Sequence, residues 1–465
     1  MQWPIKILLI SGLIISALPT GALALEMTSG SAEWMITIDG GMYGSCYGLA
    51  LDGNGYLYAC GDLDLGSADF DPGDGEEIVD GGAYLVKYTT DGDFEWATSW
   101  PGSANDVAVD SGGSVYVVGS RTLDPEYISI ENHGMNTEEI YIMKFDSDGN
   151  ALWELTWESI YPETAYHVIT DTNDDILVAG KYINDWDMDP SEGRDDHEWM
   201  GGYDCYVMKI DSDSNYLWGT TWGGDEFDEV GGLFVDTGNN IHAVGICSNE
   251  VSISGSDEVI RCDESGSMYL LELTEDGVLD GFRVFSENSL SDGDVMPSAV
   301  VVDMNGNTVI AGDYFGAVDL DPGTSSSWTE STSSYRDSFV LCLDGEGNHA
   351  WDESFFTDSC YITSAGFISG MICLVGHYKY SENVGNEISI PVGESSGPGP
   401  DCLLMTVSMD GTIEDVFTWG SGGWDYAWDM VVDGNGAVYV AGDSHGENEG
   451  NRTDQIYILK IHVTE

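Results

Sequence analysis

Three short acidic runs recur along the chain: Asp69-Phe-Asp71-Pro72-Gly73, Asp187-Met-Asp189-Pro190-Ser191 and Asp319-Leu-Asp321-Pro322-Gly323. Each sets two carboxylates at i and i+2 ahead of a turn, and hard oxygen donors of that kind suit Ca²⁺. The same residues also suit a strand end followed by a turn, where Asp and Pro serve backbone geometry. The spacing is not that of an EF-hand loop and no bidentate Glu stands at a fixed offset, so both readings stay open. Trp186, Trp199 and Trp328 lie on the same stretches. They offer flat faces for stacking a sugar or peptide, or else cover the sheet beneath them.

Other chemistry is poorly provided for. The chain holds no HExxH, no GxSxG and no phosphate-binding loop. Its eight histidines are scattered, and no CxxC occurs. Carboxylate pairs for glycoside hydrolysis are too numerous for the sequence to single one out. No catalytic residue and no cofactor other than Ca²⁺ is therefore expected.

The charge excludes whole classes of partner. Acidic side chains number 83 against 13 basic ones, giving a net charge of −70. Nucleic acid and anionic membrane are repelled by such a field. A surface suited to saline water accounts for the acidity, as do bound divalent cations. With 42% hydrophobic residues the chain has ample material for a core. Sixty glycines and only 12 prolines point to many tight turns.

The N-terminus has the pattern of an export signal: Lys6, an apolar run from Ile7 to Leu18, then Ala22-Leu23-Ala24 as a small-x-small cleavage site. Residues 1–24 are read as that signal and 25–32 as a short linker, and the product is expected outside the cytoplasm with no membrane span. Nine cysteines in an exported chain permit disulfides. Cys247 and Cys262 flank one excursion, and Cys46 and Cys60 lie almost symmetrically about the Asp52-Gly53-Asn54-Gly55 turn, so each pair is a candidate bridge.

A repeat of about 63 residues organises the rest. A large residue, four positions after a Trp or its substitute, recurs at Ile38, Trp100, Trp157, Trp222, Phe285, Phe355 and Trp419. Residues i and i+4 share one face of a strand, so each pair points into one layer between sheets. Next comes an apolar strand ending in Asp at Asp52, Asp110, Asp171, Asp236, Asp303 and Asp433, followed by a Gly/Asn-rich hairpin turn. The sixth copy has Ile368-Ser369-Gly370 instead. A second strand then ends in Gly61, Gly119, Gly180, Gly245, Gly312, Gly376 and Gly442. Lys87, Lys144, Lys209 and Lys460 share one position on the third strand, where a pairing with acids of the same blade is expected. A further turn leads to the fourth strand.

Four strands per unit, seven units and an unpaired strand at 33–39 predict an all-β chain. It is a single seven-bladed β-propeller of four-stranded antiparallel blades, with the N-terminal strand closing the last blade. The propeller is placed at 33–465, with repeat units at about 42–102, 103–158, 159–223, 224–286, 287–356, 357–420 and 421–465.

Gly223-Gly224 with Asp228, then Val235-Asp236-x-Gly238-Asn239, resembles the SBBP (seven-bladed β-propeller) repeat family of bacteria and archaea. Trp419-Gly-Ser-Gly-Gly-Trp-Asp425 with Val432-Asp433-Gly-Asn435 is similar again. The resemblance implies the propeller fold and an extracytoplasmic setting, and no common activity. The stretches between second and third strands vary most, and binding residues concentrate on such loops. The expectation is thus a monomeric, non-enzymatic binding or scaffolding propeller that presents this face to protein or glycan, with Ca²⁺ as an aid. The alternatives are a secreted hydrolase or lyase with its site in the central funnel, and a structural envelope component.

Overall fold

A computed structural model describes residues 26–463, apart from 30–31, 40–41, 74, 123–137, 158–162, 265, 286–293, 324–327, 331–335, 356–358, 380–398 and 449–450. The expected signal segment 1–24 lies outside them. Every regular element among the described residues is a β-strand, and no helix there is long and apolar enough to cross a membrane. The chain divides into two compact units, one of 1–104, 335–338 and 355–465, the other of 105–334 and 339–354.

The first unit holds three antiparallel sheets of four blade strands each, and Glu26–Ser29, within the stretch expected to be a linker, adds a fifth strand to the blade 6 sheet by pairing with Ile413–Gly420. Blade 1 runs Met42–Leu51, Tyr56–Asp69, Ile78–Thr89, Phe94–Trp100, and blade 6 runs Cys360–Ile368, Met371–Tyr378, Asp401–Ser408, Ile413–Gly420. Blade 7 runs Trp424–Val432, Ala437–Asn448, Asn451–His462, and its fourth strand is Ala32–Asp39 from the other end of the chain. That strand pairs from Ala32 opposite Ile461 to Asp39 opposite Gln455.

The second unit carries blades 2 to 4, and blade 5 apart from the few residues of its outer strands that cluster with the first. Blade 2 runs Ser103–Val109, Val115–Thr122, Glu138–Phe145, Ala151–Trp157, and blade 3 runs Thr164–Thr170, Ile176–Tyr182, Asp204–Ile210, Tyr216–Gly223. Blade 4 runs Glu229–Val235, Ile241–Cys247, Ser267–Leu273, Leu279–Phe285, and blade 5 runs Asp294–Val302, Thr308–Phe315, Asp337–Leu343, His349–Phe355. Seven such sheets in one chain are the blades of an all-β propeller.

The repeated residues acquire definite jobs. Each turn Asp accepts two backbone amides with one oxygen: Asp52 takes those of Asn54 and Tyr56 at 2.8 Å each, and Asp303 those of Asn305 and Asn307 at 2.8 Å each. This is an Asx-turn, which fixes the hairpin locally. In blade 6 Ser369 (φ 51°) and Gly370 (φ 80°) make a two-residue turn with positive φ at both positions, so that turn needs no Asp.

The strand-end glycine answers to a bulge. First strands shift register between Cys46 and Gly48, Ala165 and His167, Val230 and Gly232, Pro297 and Ala299, Ile362 and Ser364, and Ala427 and Asp429. The carbonyl just before each bulge turns toward the glycine opposite. A Cβ on Gly61, Gly180, Gly245, Gly312, Gly376 or Gly442 would overlap that carbonyl oxygen. In four blades a third-strand Tyr hydroxyl reaches over the same glycine to bond the carbonyl: Tyr84 to Ser45 at 2.9 Å, Tyr206 to Thr164 at 3.3 Å, Tyr269 to Glu229 at 3.1 Å and Tyr457 to Tyr426 at 2.8 Å.

Within each unit, neighbouring blades are pinned at both edges. At the fourth strands, indole N–H groups reach the next blade's outer turn: Trp34 to Thr90 O at 3.1 Å, Trp153 to Ser212 O at 3.3 Å and Trp218 to Glu275 O at 3.2 Å. At the first strands, Asp429 accepts the Leu49 amide at 2.8 Å and Asp106 the Val168 amide at 2.8 Å. Between these, Trp157, Trp222 and Trp419 are buried in the layers between sheets, whereas Trp100 is only half-buried. The lysine position splits. Lys209 meets Asp171 at 2.8 Å and Lys460 meets Glu33 at 3.2 Å, each within its blade. Lys144 instead donates to Ser212 O of blade 3 and lies over the Tyr116 ring, and Lys87 lies over the Tyr56 ring.

Cys247 and Cys262 are bonded. They staple the base of a blade 4 excursion whose strands Glu250–Ile253 and Val259–Arg261 add to the open edge of blade 3, covering it. Cys46 and Cys60 are both buried and neither forms a disulfide. Cys46 faces Gly61 and Cys60 faces Gly48, so the two thiols leave opposite faces of the sheet.

Two outcomes follow for stability. Gly245→Ala should lower the unfolding free energy by about 3 kcal/mol because the new methyl overlaps backbone, while Gly53→Ala, where a Cβ meets nothing within 4 Å, should stay within about 0.5 kcal/mol; urea titration distinguishes them. Replacing Cys247 and Cys262 together by Ser should cost about 2–4 kcal/mol in the same assay, and reductant should then have no further effect.

Candidate functional site

The bulges re-aim side chains at the ends of the first strands, and in blades 7 and 1 the extra residue is aromatic and meets further rings of blade 6. Tyr47 and Trp428 are the extra residues of their bulges, with ring centroids 6.1 Å apart. Trp428 stacks on Tyr426 at 5.4 Å, and His377 meets both rings edge-on at 5.9 and 5.0 Å. Tyr361 stacks on the far side of His377 at 5.2 Å. The series Tyr361, His377, Tyr426, Trp428, Tyr47 therefore crosses three adjacent blades of one unit. Its four Tyr and Trp rings are half-buried and His377 is buried. Burial lowers the His377 pKa to about 4, so the ring is neutral at physiological pH.

Carboxylates line the same strand ends. Asp443 accepts the Trp428 indole N–H. His445 is clamped between Asp443, 2.6 Å from Nε2, and Asp454, 2.8 Å from Nδ1, and both carboxylates are buried. Burial works against the charged imidazole, but the two carboxylates, Asp443 ahead of Asp454, outweigh it and hold the pKa above its ordinary value. Each ring nitrogen thus faces a carboxylate, an arrangement that favours the doubly protonated ring. Beside Tyr47, Asp62 is pushed up to about 6, first by burial and then by the charge of Asp64, against a bond from the Tyr47 hydroxyl. Two like charges side by side next to exposed aromatic faces favour an incoming cation.

The residues singled out in the sequence fall elsewhere. Asp69 accepts the amides of Asp71 at 3.2 Å and Glu77 at 2.8 Å, and Asp71 accepts that of Gly73 at 2.8 Å. Asp187 takes the amides of Asp189 and Asp195, Asp189 that of Ser191, Asp319 that of Asp321, and Asp321 that of Gly323. The residue between each pair, Phe70, Met188 or Leu320, is fully buried. These runs close their own turns and anchor an apolar plug. Among the described residues no group of three or more His, Cys, Asp or Glu is arranged to hold a metal ion. Trp186 is 7% exposed and packs on Trp157, Tyr182 and Tyr206, which removes it from a ligand surface. Trp199 is 40% exposed, its indole N–H bonded to Gly202 O at 3.1 Å. The backbone of Trp328 pairs with Asp319, and its side chain lies outside the described residues.

The aspartates of the Gly-Gly-containing stretches are structural. Asp228 caps Gly224 N at 2.9 Å and Ser248 N at 3.1 Å, and Asp425 caps Ser421 N at 2.7 Å. Their signal in the sequence was their repetition. The aromatic series had a weaker one: Tyr47 and Trp428 hold the same place relative to the strand-end glycine in units at opposite ends of the chain.

No family model matches the chain. An uncharacterized WD repeat-containing protein, L264, of Acanthamoeba polyphaga mimivirus is 30% identical over 111 residues, which are 21% of this chain and 8% of that protein. The chain thus spans a small part of that relative's length. Among solved structures, BamB from Moraxella catarrhalis is 11% identical with a TM-score of 0.40, over 94% of this chain and 100% of that one. The polysaccharide lyase Uly1 is 8% identical with a TM-score of 0.40, over 88% of each chain. XC5397 of Xanthomonas campestris, a gluconolactonase, is 14% identical with a TM-score of 0.33, over 80% of this chain and 95% of that one. Likeness this distant carries no argument about activity.

Replacing His445 by Gln leaves Asp443 and Asp454 without their shared cation and should lower stability by about 3 kcal/mol near pH 6. The His445 pKa is raised in the folded state, so its stabilisation is complete below the ordinary histidine value and is lost as pH rises through the raised one. Urea titrations between pH 6 and pH 9 should therefore show a decline in the parent that is shallower in His445→Gln, and parallel curves would refute the clamp.

Proposed function

We propose that this chain is an exported, non-enzymatic binding propeller of the SBBP type, and that it receives basic side chains of a protein partner at the aromatic and carboxylate cluster of blades 6, 7 and 1. The observation that carries this reading is the half-buried series Tyr361, Tyr426, Trp428 and Tyr47 set beside Asp62 and Asp64. Aromatic faces attract Lys and Arg by about 0.5–2 kcal/mol each, more as water is displaced. The net charge of −70 steers such a partner inward.

Three further points support it. The His445 nitrogens are both taken up by carboxylates, so the polar core of the cluster holds geometry rather than moving protons. The Cys247–Cys262 bond fits an oxidising compartment, in keeping with the signal-like N-terminus. The connections between blades carry exposed apolar rings, with Phe227 60% and Trp424 44% exposed, while the short hairpin turns are stereotyped.

Any polycation is drawn to a chain this acidic, so the deciding variants leave charge unchanged. Tyr47→Ala and Tyr361→Ala should each weaken binding of an Arg- and Lys-containing peptide about ten-fold at physiological salt, read by calorimetry, with unfolding midpoints preserved. Equal affinity for parent and variants would show that the peptide is held by the general field and not by the cluster. Binding of neutral oligosaccharides at this cluster in place of the peptide would assign it to glycan.

A further inference from the structure

A cleft of about 680 Å³ opens between the outer parts of blades 3 and 4, within the size range of small-molecule sites. Its floor is the fourth strand of blade 3, Trp218 to Thr221. One wall is the loop Asp195 to Glu198, another is the stapled excursion Ser252 to Glu258, and the outer turn of blade 4, Asp276 to Leu279, closes it. None of these residues belongs to the aromatic cluster, and nothing argued for that cluster bears on this cleft.

The chemistry of the lining is selective. Asp195, Asp196, Glu198, Glu258 and Asp276 bring carboxylates to it, which disfavours phosphate, sulfate or carboxylate ligands. An apolar side is also present: Trp218 is half-buried and Val278 is 61% exposed. At the base His197 is only 7% exposed. Its Nδ1 lies 3.0 Å from Thr221 Oγ1, while Nε2 makes no hydrogen bond. The Asp195 carboxylate, 3.5 Å from Nε2, favours the proton on that nitrogen. Asp195 in turn accepts the Tyr216 hydroxyl at 2.6 Å.

A buried N–H without an acceptor is costly, and its position beside a carboxylate specifies what would satisfy it. The missing group must accept from His197 Nε2–H and donate to Asp195. A hydroxyl does both. An ammonium only donates, and a carboxylate only accepts. Hydroxyl-bearing edges combined with an apolar C–H face that can lie on Trp218 define a sugar ring. We propose that this cleft binds a short neutral oligosaccharide, with His197 and Asp195 gripping one hydroxyl and Trp218 supporting the ring.

The test is calorimetry on the whole protein with cello-, laminari-, malto-, xylo- and mannohexaose, and spermidine as the cationic probe in high salt. At least one hexasaccharide should bind saturably in the micromolar to millimolar range. His197→Phe, which keeps the ring's bulk and removes Nε2, should weaken it by about ten-fold or more. Because His197 is buried, Ser256→Trp at the lip of the cleft serves as a second variant that leaves the floor intact; it should block binding while the melting temperature stays that of the parent. Failure of all five sugars, saturable binding of spermidine alone, or unchanged sugar affinity in Ser256→Trp would each overturn the proposal.

Discussion

A single crowded spot recurs in blade after blade: a bulge carbonyl, a glycine without a Cβ opposite it and, in four blades, a tyrosine hydroxyl closing over both. The carbonyl cannot keep its sheet partner once the extra residue is inserted, and a buried carbonyl left alone is costly. The tyrosine supplies the missing donor, and only glycine leaves it room. Everything on the inner edge depends on this arrangement. It turns the extra residue sideways, so Thr363 donates to Ala427 O at 2.9 Å, in the adjoining blade. Where the extra residue is Tyr47 or Trp428, the same rotation builds the aromatic series instead. One backbone device thus yields mechanical joints in some blades and a recognition surface in others.

The excess of acid is divided between two roles with opposite pH signatures. Asp146, Asp303 and Asp344 accept amide and Asn bonds in hairpin turns, and those bonds hold their pKa values below the ordinary range. Such groups stabilise the fold above the unfolded carboxylate value and lose that contribution as pH falls through the folded one. Asp204 and Asp228, raised to about 7, and Asp313, raised to about 8, are displaced chiefly by burial. Their contribution is complete in acid and is lost as pH rises through those values. Opposed slopes of this kind give a fold that is most stable in mildly acidic water.

Most of the scaffold was legible because a repeat displays its own constraints. The turn Asp, the strand-end Gly and the buried Trp stood out by recurrence, and each proved to have a local physical cause. The Cys247–Cys262 bond was legible from its flanking of one excursion. What stayed hidden were contacts between copies. Repetition says that Tyr47 and Trp428 are equivalent, but not that blades 7 and 1 bring them together. Symmetry about a turn suggested Cys46 and Cys60 as partners, yet one residue of register sends them to opposite faces. Trp186 looked like a loop aromatic and is core, because the short pairing of Trp186 with His197 folds that loop back on its blade. The cleft at His197 was invisible for a related reason: its wall is an excursion of blade 4 resting on blade 3.

The pairing of Ala32–Asp39 with Asn451–His462 sets an order of events during biosynthesis. The earliest of these strands to be made waits for nearly the whole chain before Trp34 can face Lys460 and dock on Thr90. Contacts of such long sequence separation form late and slowly. Until then Trp34, Ile36 and Ile38, all buried in the finished fold, remain open to wrong partners or to a chaperone. A chain interrupted before Asn451–His462 would leave that apolar segment without the strand it pairs with.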